Sequence, residues 1–167
     1  MRTRIPLTIL LLLVLFVFFF ISYMNIYNKE KIAARNLSKY NSICGQYLQG
    51  NIKIGKNNLS VAIADDNCKT SLGLSGISEL KEDEGMLFLF EKLGSHGFWM
   101  KNMKFPIDIL WLDNNFKVVG MENNVSPDSY PKTFGKGYIS MYVLEVPSGY
   151  SQKNNIKVGD QIIFNKK

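Results

Sequence analysis

The stretch that decides the predicted fold is residues 85–113, GMLFLFEKLGSHGFWMKNMKFPIDILWLD. Residues 86–90 are apolar at every position, so a strand there has apolar side chains on both of its faces. We expect this strand to be buried on both sides, at the centre of a two-layer β structure. Two more strands are predicted at residues 96–101 and 108–113, and in the first of these Lys101 shares a face with Trp99.

The N-terminus predicts a membrane segment. Residues 5–21 carry no charge and are almost all Leu, Ile, Val and Phe, and a helix continuing to about residue 27 spans roughly 30 Å, the thickness of the hydrocarbon core. Arg2 and Arg4 precede it as in a signal sequence, but residues 22–25 offer no small-x-small cleavage site. We therefore predict an uncleaved signal anchor over residues 1–27. A buried helix is the alternative, because the segment is apolar all round.

Residues 28–50 predict a basic juxtamembrane stalk, either a short helix or a disordered segment. Lys29, Lys31, Arg35 and Lys39 follow the span and compete with the N-terminal arginines under the positive-inside rule. Long C-terminal domains are translocated largely regardless of flanking charge. We therefore expect a single-pass protein with the N-terminus inside and the folded domain, residues 51–167, outside the cytoplasm.

The charge distribution argues against a nucleic-acid partner. Residues 1–50 have a net charge of +5, whereas residues 51–167 have a net charge of only +1. A near-neutral domain lacks the basic surface that phosphate binding requires. The basic flank suits anionic lipid headgroups, so the predicted partner of the N-terminal part is the lipid bilayer.

Cys44 and Cys68 are the two cysteines of the chain. With one histidine and no Cys-x-x-Cys pair, they predict no zinc site, and the absence of Walker or dinucleotide motifs predicts no cofactor. Two interpretations stay open. In an oxidising compartment the cysteines form a disulfide worth roughly 3 kcal/mol; in the cytosol they are small apolar residues.

The remaining pattern predicts a mainly β domain. A hairpin is expected over residues 52–63, followed by a short helix that Asp65 or Asp66 caps and that runs through Leu72. Residues 123–137 predict a long surface loop and residues 148–154 a helical turn. With strands at 117–121, 138–146 and 161–164, we expect about eight short strands in a compact antiparallel sandwich or barrel with one or two short helices.

Five runs in order carry a resemblance to a known family: GMLF at 85–88, FWMKN at 98–102, PIDIL at 106–110, YVLEVPSG at 142–149 and GD at 159–160. With these runs the chain resembles the family known as domain of unknown function 192, over roughly residues 59–165. The resemblance implies a compact, mostly β domain, frequently secreted or membrane-attached, with no established activity. Ser75 stands where the family pattern Gly-Leu-Met has methionine, which implies a small repacking there.

The candidate site residues are the polar ones inside these apolar runs, Lys101, Asn102, Asp108 and Glu145. A buried charge needs a partner, so the first interpretation is a structural ion pair of Lys101 with Asp108 or Glu145. The second is a shallow pocket in which Trp99 forms an apolar wall and Lys101 binds an anionic group. The third is catalysis by an Asp108/Glu145 acid–base pair.

Four aromatic or imidazole residues complete the candidates. Trp99 and Trp111 are assigned to the core, with stacking on a sugar ring as the alternative. His96 is predicted to be a solvated turn residue, and Tyr130 to pin the long loop or to border a pocket beside Trp99.

Taken together, the sequence predicts a membrane-anchored extracytoplasmic binding or interaction module rather than an enzyme. Its ligand is expected to be a small anionic molecule, a sugar or an envelope protein. In such a module Trp99, Lys101 and Tyr130 converge on one concave surface. The alternative is an envelope hydrolase-like enzyme, in which Asp108 and Glu145 face each other across a cleft.

Overall fold

The computed structural model describes residues 7–166. Arg2 and Arg4 of the predicted signal anchor lie outside the described residues, as do the side chains of the four basic residues of the predicted stalk, Lys29, Lys31, Arg35 and Lys39. The chain divides into two units, Met1–Lys39 and Tyr40–Lys167.

The described residues of the N-terminal unit, 7–39, are helical. Helix α1 spans Leu7–Cys44, so one helix covers most of the predicted anchor and stalk. Within it, the 18 residues Leu11–Asn28 are apolar and long enough to cross a membrane, a test that a signal sequence also passes. Among the described residues this is the one helix that meets the test.

The second unit is built on a single mixed sheet. Its strand order is β5-β4-β6-β3-β2-β1-β7, and the β2–β3 pair is parallel whereas the other neighbouring pairs are antiparallel. The strands are β1 (Leu48–Ile54), β2 (Asn57–Ala64), β3 (Glu84–Ser95), β4 (Ile107–Leu112), β5 (Val118–Val125), β6 (Ile139–Pro147) and β7 (Ile163–Lys166).

The mainly β class is therefore confirmed, but the finer architecture differs from the prediction. Residues 7–166 form seven strands rather than about eight, and the sheet stays open between β5 and β7 instead of closing into a sandwich or barrel. The predicted strand at 96–101 is wrong. Phe98 makes an isolated bridge to Phe134, and the rest of that segment has no ladder partner in the described chain.

Strand β3 lies in the middle of the sheet and is buried on both faces near its start, as the sequence predicts. Met86 and Phe88 belong to the core on one face, and Leu87 belongs to the core on the other. The first core also contains Ile109 and Trp111. We call the side of the sheet on which this core lies the cavity face. The core on the opposite face is formed by β1, β2, β3, β4 and β6 together with residues near helix α3 (Tyr150–Lys153).

Helix α2 (Asn67–Leu72) forms where the capping residues predict it. The Asp66 side chain accepts a hydrogen bond from the Lys69 amide at 2.9 Å, and Gly73 ends the helix with a φ of 50°. Cys44 and Cys68 are joined by a disulfide with their Cα atoms 5.6 Å apart. The disulfide therefore joins the end of α1 to the start of α2. Residues 70–75, at the end of α2, lie on the cavity face.

The region predicted as a long loop, residues 123–137, is partly ordered by secondary structure. Strand β5 extends to Val125, and Pro127–Ser129 forms a 3-10 turn capped by the Ser126 side chain. The loop is further anchored where Phe134 pairs with Phe98.

Candidate functional site

Glu145 is the most unusual side chain of the sheet. It lies on β6 opposite Met86 of β3 and Ile109 of β4, and alternation places it with Val143 on the cavity face. Its side chain is buried, with only 5% of the residue exposed. Its Oε2 atom has no hydrogen-bond partner among the described residues. A buried polar atom without a partner is rare in native proteins and calls for an explanation.

Burial raises the pKa of the Glu145 carboxyl from 4.5 to about 8. Removal from water penalises the ionised form, and no charged side chain in the described part offsets this penalty. Glu145 therefore holds its proton at neutral pH. In that state the carboxyl group is uncharged and has one O–H donor to offer.

A cavity of about 270 Å³ lies over Glu145. One side is formed by residues 70–75, which end helix α2, and the other side by residues 95–99. Leu74, Phe88 and Glu145 are its buried residues, whereas Ser71, Ser95, Gly97 and Trp99 are exposed and mark its mouth. The full lining is Thr70, Ser71, Leu72, Gly73, Leu74, Ser75, Phe88, Phe90, Ser95, His96, Gly97, Phe98, Trp99, Met103 and Glu145.

The aromatic side of the cavity is held rigidly. Phe98 packs edge-on against Phe88, with ring centroids 4.8 Å apart, and against Phe90 at 6.4 Å. The imidazole of His96 stacks on Phe90 at 3.6 Å. His96 is therefore half-buried in the cavity wall, which differs from the solvated turn residue that the sequence predicts.

The two tryptophans have different positions. Trp111 is fully buried, and its indole N–H donates to the His96 carbonyl oxygen at 2.8 Å, so its assignment to the core agrees with the structure. Trp99 is 53% exposed and does not belong to the core. The Trp111 hydrogen bond fixes the backbone of residue 96 and thereby the wall of the cavity.

Trp99, Lys101 and Tyr130 come together at the surface. The Lys101 ammonium lies 5.7 Å from the centroid of the Trp99 ring, and the Tyr130 ring packs edge-on against Trp99 at 6.1 Å. Trp99 also lines the cavity, whereas Lys101 and Tyr130 do not. The three residues thus form an exposed aromatic and cationic patch beside the cavity mouth.

Asn102 contributes through its backbone. It has a positive φ of 58°, and its carbonyl oxygen accepts a hydrogen bond from the Gly76 amide at 2.9 Å. The Ser75 hydroxyl donates to the Lys101 carbonyl oxygen at 2.9 Å. These bonds join the turn that carries Lys101 to the segment that forms the opposite side of the cavity.

Asp108 lies away from the cavity. It is fully buried on the opposite face of the sheet, where its carboxylate accepts hydrogen bonds from the backbone amides of Asn124, Gly149 and Ser151 at 2.8, 3.1 and 2.9 Å. The predicted acid–base pair is therefore not formed, because Asp108 and Glu145 point to opposite faces. The predicted ion pair is not formed either, since Lys101 has no carboxylate partner within residues 7–166.

Sequence reasoning placed Glu145 among the candidates but missed its surroundings. Residues 70–75, Phe90 and His96 form most of the cavity wall. The family pattern at residues 73–75 was noted in the sequence, but it was not connected with a cavity. The available signal was the alternation in β6, which puts Glu145 on the same face as Val143. In the described part of the chain, no group of three or more His, Cys, Asp or Glu side chains is placed to hold a metal ion.

The fold and the cavity define a small mixed-β domain with a ligand-sized cavity over a buried acid. Residues 50–164 match the profile of the family named domain of unknown function 192, whose description reads "Uncharacterized ACR". The chain therefore belongs to this family, as the sequence runs predicted. No curated protein matches the chain.

Two solved structures have a similar fold. A protein from Sinorhizobium meliloti, described as a "putative transcription regulator", is 24% identical with a TM-score of 0.65, and the match covers 71% of this chain and 93% of that chain. A protein of unknown function from Novosphingobium aromaticivorans is 24% identical with a TM-score of 0.62, covering 70% and 84% of the two chains. At this identity the similarity shows the fold alone.

Proposed function

We propose that this protein is a membrane-tethered binding domain that takes a small molecule into the Glu145 cavity, outside the cytoplasm. The observation that carries the proposal is the Glu145 carboxyl itself, a buried acid that has an unpartnered oxygen and that lines a cavity. A buried polar group left without a partner costs roughly 1–3 kcal/mol. A ligand that supplies the missing hydrogen bond recovers this free energy, which makes the cavity a site for binding.

The lining supports binding of a small molecule. Ligand sites are concave and mainly apolar, with a few polar groups that fix orientation. Here the lining is more polar than apolar: Phe90, Phe98 and Trp99 supply the apolar part, and Glu145 is a candidate orienting group among the polar residues. The nearby Trp99, Lys101 and Tyr130 patch extends the surface that an entering molecule meets.

Two observations support the membrane location. The apolar stretch Leu11–Asn28 has the length and composition of a membrane span. The disulfide between Cys44 and Cys68 suits an oxidising compartment, because cytosolic thiols are kept reduced. A single-pass anchor with the domain outside the cytoplasm accounts for both.

The acid–base alternative has no support in the geometry. Hydrolysis by two carboxylates requires both to border one cleft, and Asp108 occupies the other face of the sheet. We therefore propose binding alone.

Binding is tested with the full-length chain in lipid nanodiscs. A library of small molecules is screened by ligand-observed NMR, and hits are repeated with Ser71→Trp, which places an indole at the cavity mouth. The matched control is Asn58→Trp, which alters a cleft elsewhere on the domain. We expect hits that Ser71→Trp removes and Asn58→Trp retains. Absence of hits, or hits unaffected by Ser71→Trp, would refute the proposal.

The location is tested separately in membrane vesicles of known orientation. We expect the chain to resist carbonate extraction, and the domain to be digested when protease is added to the extracytoplasmic side. Release by carbonate or protection from that protease would contradict the tethering part of the proposal.

A further inference from the structure

We infer that the ligand of the Glu145 cavity is one uncharged sugar ring, which accepts a hydrogen bond from Glu145 and packs against the aromatic wall. This inference rests on the proposed function and names the ligand class for the same site. It follows from the size of the cavity, the chemistry of its lining and the charges that face it.

The size favours a single ring. The cavity of about 270 Å³ lies just below the lower end of small-molecule pockets, which is about 300 Å³. It opens at residues 71, 95, 97 and 99, and Glu145 is among its buried residues. A compact ring fits this shape, whereas an extended chain leaves most of its length outside.

The lining has the two kinds of surface that a sugar presents. The C–H face of a sugar ring is apolar and packs on aromatic rings, which Phe98 and Trp99 supply, together with the part of Phe90 that His96 leaves uncovered. Its hydroxyl groups need donors and acceptors. Four hydroxyl residues line the cavity together with Glu145: Thr70, Ser71, Ser75 and Ser95. The hydroxyls of Thr70 and Ser75 donate to the carbonyl oxygens of Asp66 and Lys101, so toward a ligand they act as acceptors. A protonated carboxyl has both an O–H donor and an acceptor oxygen, so it can pair with a sugar hydroxyl in either direction.

The charges disfavour a cation. Burial keeps Glu145 protonated by raising its pKa to about 8, so a cationic ligand gains no carboxylate unless that proton is lost. No other acidic side chain lines the cavity in the described structure.

Burial of the site also disfavours an anionic ligand. The negative charge of such a ligand enters the same environment that suppresses ionisation of the Glu145 carboxyl. The groups facing Glu145 on neighbouring strands, Met86 and Ile109, are uncharged. Residues 70–75 contribute no titratable side chain, and His96 is the other titratable group in the lining. Lys101, which lies beside the mouth against Trp99, is exposed to solvent, where its charge is screened.

The test uses three matched types of probe with the full-length chain in nanodiscs. The uncharged probes are methyl glucoside, methyl galactoside and methyl mannoside; the cationic probe is glucosamine and the anionic probe is glucuronate. Binding is followed by saturation-transfer NMR and by the indole N–H signal of Trp99. Circular dichroism at each pH verifies that the domain is folded.

We expect at least one methyl glycoside to bind near neutral pH, more tightly than either charged probe. Since the inference requires the protonated acid, affinity should fall about tenfold one pH unit above the Glu145 pKa, where about a tenth of the sites stay protonated. Glu145→Gln keeps a donor and an acceptor, so it should bind the glycoside without this pH dependence. Glu145→Leu should not bind it.

Several results would overturn the inference while leaving the proposed function intact. The first is preferential binding of glucosamine that strengthens as pH rises. The second is binding of glucuronate that Lys101→Ala removes. The third is that no glycoside binds although other library molecules bind and Ser71→Trp removes their binding. If neither the glycosides nor the library bind, the proposed function itself fails. The two failures are therefore distinguishable.

Discussion

Asp108 and Glu145 lie on adjacent strands, one position apart in register, and their side chains point to opposite faces of the sheet. Asp108 is opposite Val146, and Ile109 is opposite Glu145. Asp108 is surrounded by backbone amide donors, whereas Glu145 Oε2 has no hydrogen-bond partner in the described structure. Two buried acids on adjacent strands thus have different surroundings: backbone amides satisfy the first, and the second has an oxygen without a hydrogen-bond partner among the described residues.

The Asp108 arrangement predicts a large effect on stability. Asp108→Ala removes the acceptor of three backbone amides, one of which, that of Ser151, is buried. Hydrogen bonds to a charged group contribute roughly 1.5–3 kcal/mol each and are not additive, so we expect a loss of about 3 kcal/mol or more. Urea denaturation of the full-length chain in detergent measures it. The exposed Asp128 provides the control, and Asp128→Ala should change the free energy of unfolding by less than about 0.5 kcal/mol. Equal effects of the two variants would contradict the structural role.

Glu145 predicts a specific dependence of stability on pH. Burial raises the pKa of its carboxyl from 4.5 to about 8 in the folded state. The folded state therefore holds one proton more than the unfolded state between these two values. The free energy of unfolding should fall by about 1.4 kcal/mol per pH unit as pH rises through this window, and this loss should stop above pH 8.

Glu145→Gln isolates that contribution. The amide does not titrate, so the variant should lack this fall and become more stable than the parent as pH approaches 8. Denaturation curves at several pH values from 4.5 to 9 provide the comparison. Glu91→Gln, at an exposed position, is the control. Its free energy of unfolding should depend on pH in the same way as that of the parent. If the Glu145→Gln curve were also parallel to that of the parent, Glu145 would not be protonated in the folded state.

Lys101 and Lys69 make a matched pair of lysines with different surroundings. Lys101 is exposed and contacts the Trp99 ring, whereas Lys69 is 8% exposed and donates to Asp65 at 2.7 Å. We expect Lys101→Ala to lower stability by no more than about 1 kcal/mol, the strength of an exposed cation–π contact. Lys69→Ala should lower it by about 2 kcal/mol, since it removes a charged hydrogen bond. Thermal denaturation measures the loss of stability in both variants. A larger loss for Lys101→Ala than for Lys69→Ala would support the buried ion pair of Lys101 that the sequence suggested.

Local signals were sufficient for much of the fold. The apolar run at 86–90 correctly predicted a central strand buried on both faces. The sequence left the cap of helix α2 open between Asp65 and Asp66 and correctly ended the helix at Leu72; the structure shows Asp66 as the cap. These features depend on period and capping, which neighbouring residues determine. At residues 96–101 the alternation is also present, because Met100 is buried and Trp99 is exposed. A strand additionally needs a ladder partner, and alternation alone does not supply one.

The candidate site was less predictable because it is non-local. The face of Glu145 follows from its strand, but the cavity exists only where residues 70–75 and 95–99 meet over β6. The relation between Asp108 and Glu145 depends on the register between β4 and β6, and a shift of one residue reverses the face of every side chain. The sequence contains no direct signal of that register.

The disulfide predicts that stability depends on redox conditions. Cys44 and Cys68 are 24 residues apart, and closing a loop of this length contributes about 3 kcal/mol in the chain-entropy description. Reductant should therefore lower the free energy of unfolding of the parent by about this amount and leave the Cys44→Ser/Cys68→Ser variant unchanged. Thiol alkylation followed by mass spectrometry, on protein extracted from its own membrane without reductant, should find both cysteines blocked. Two reactive thiols in that sample would argue that the domain faces a reducing compartment, because an exposed cytosolic pair is kept reduced.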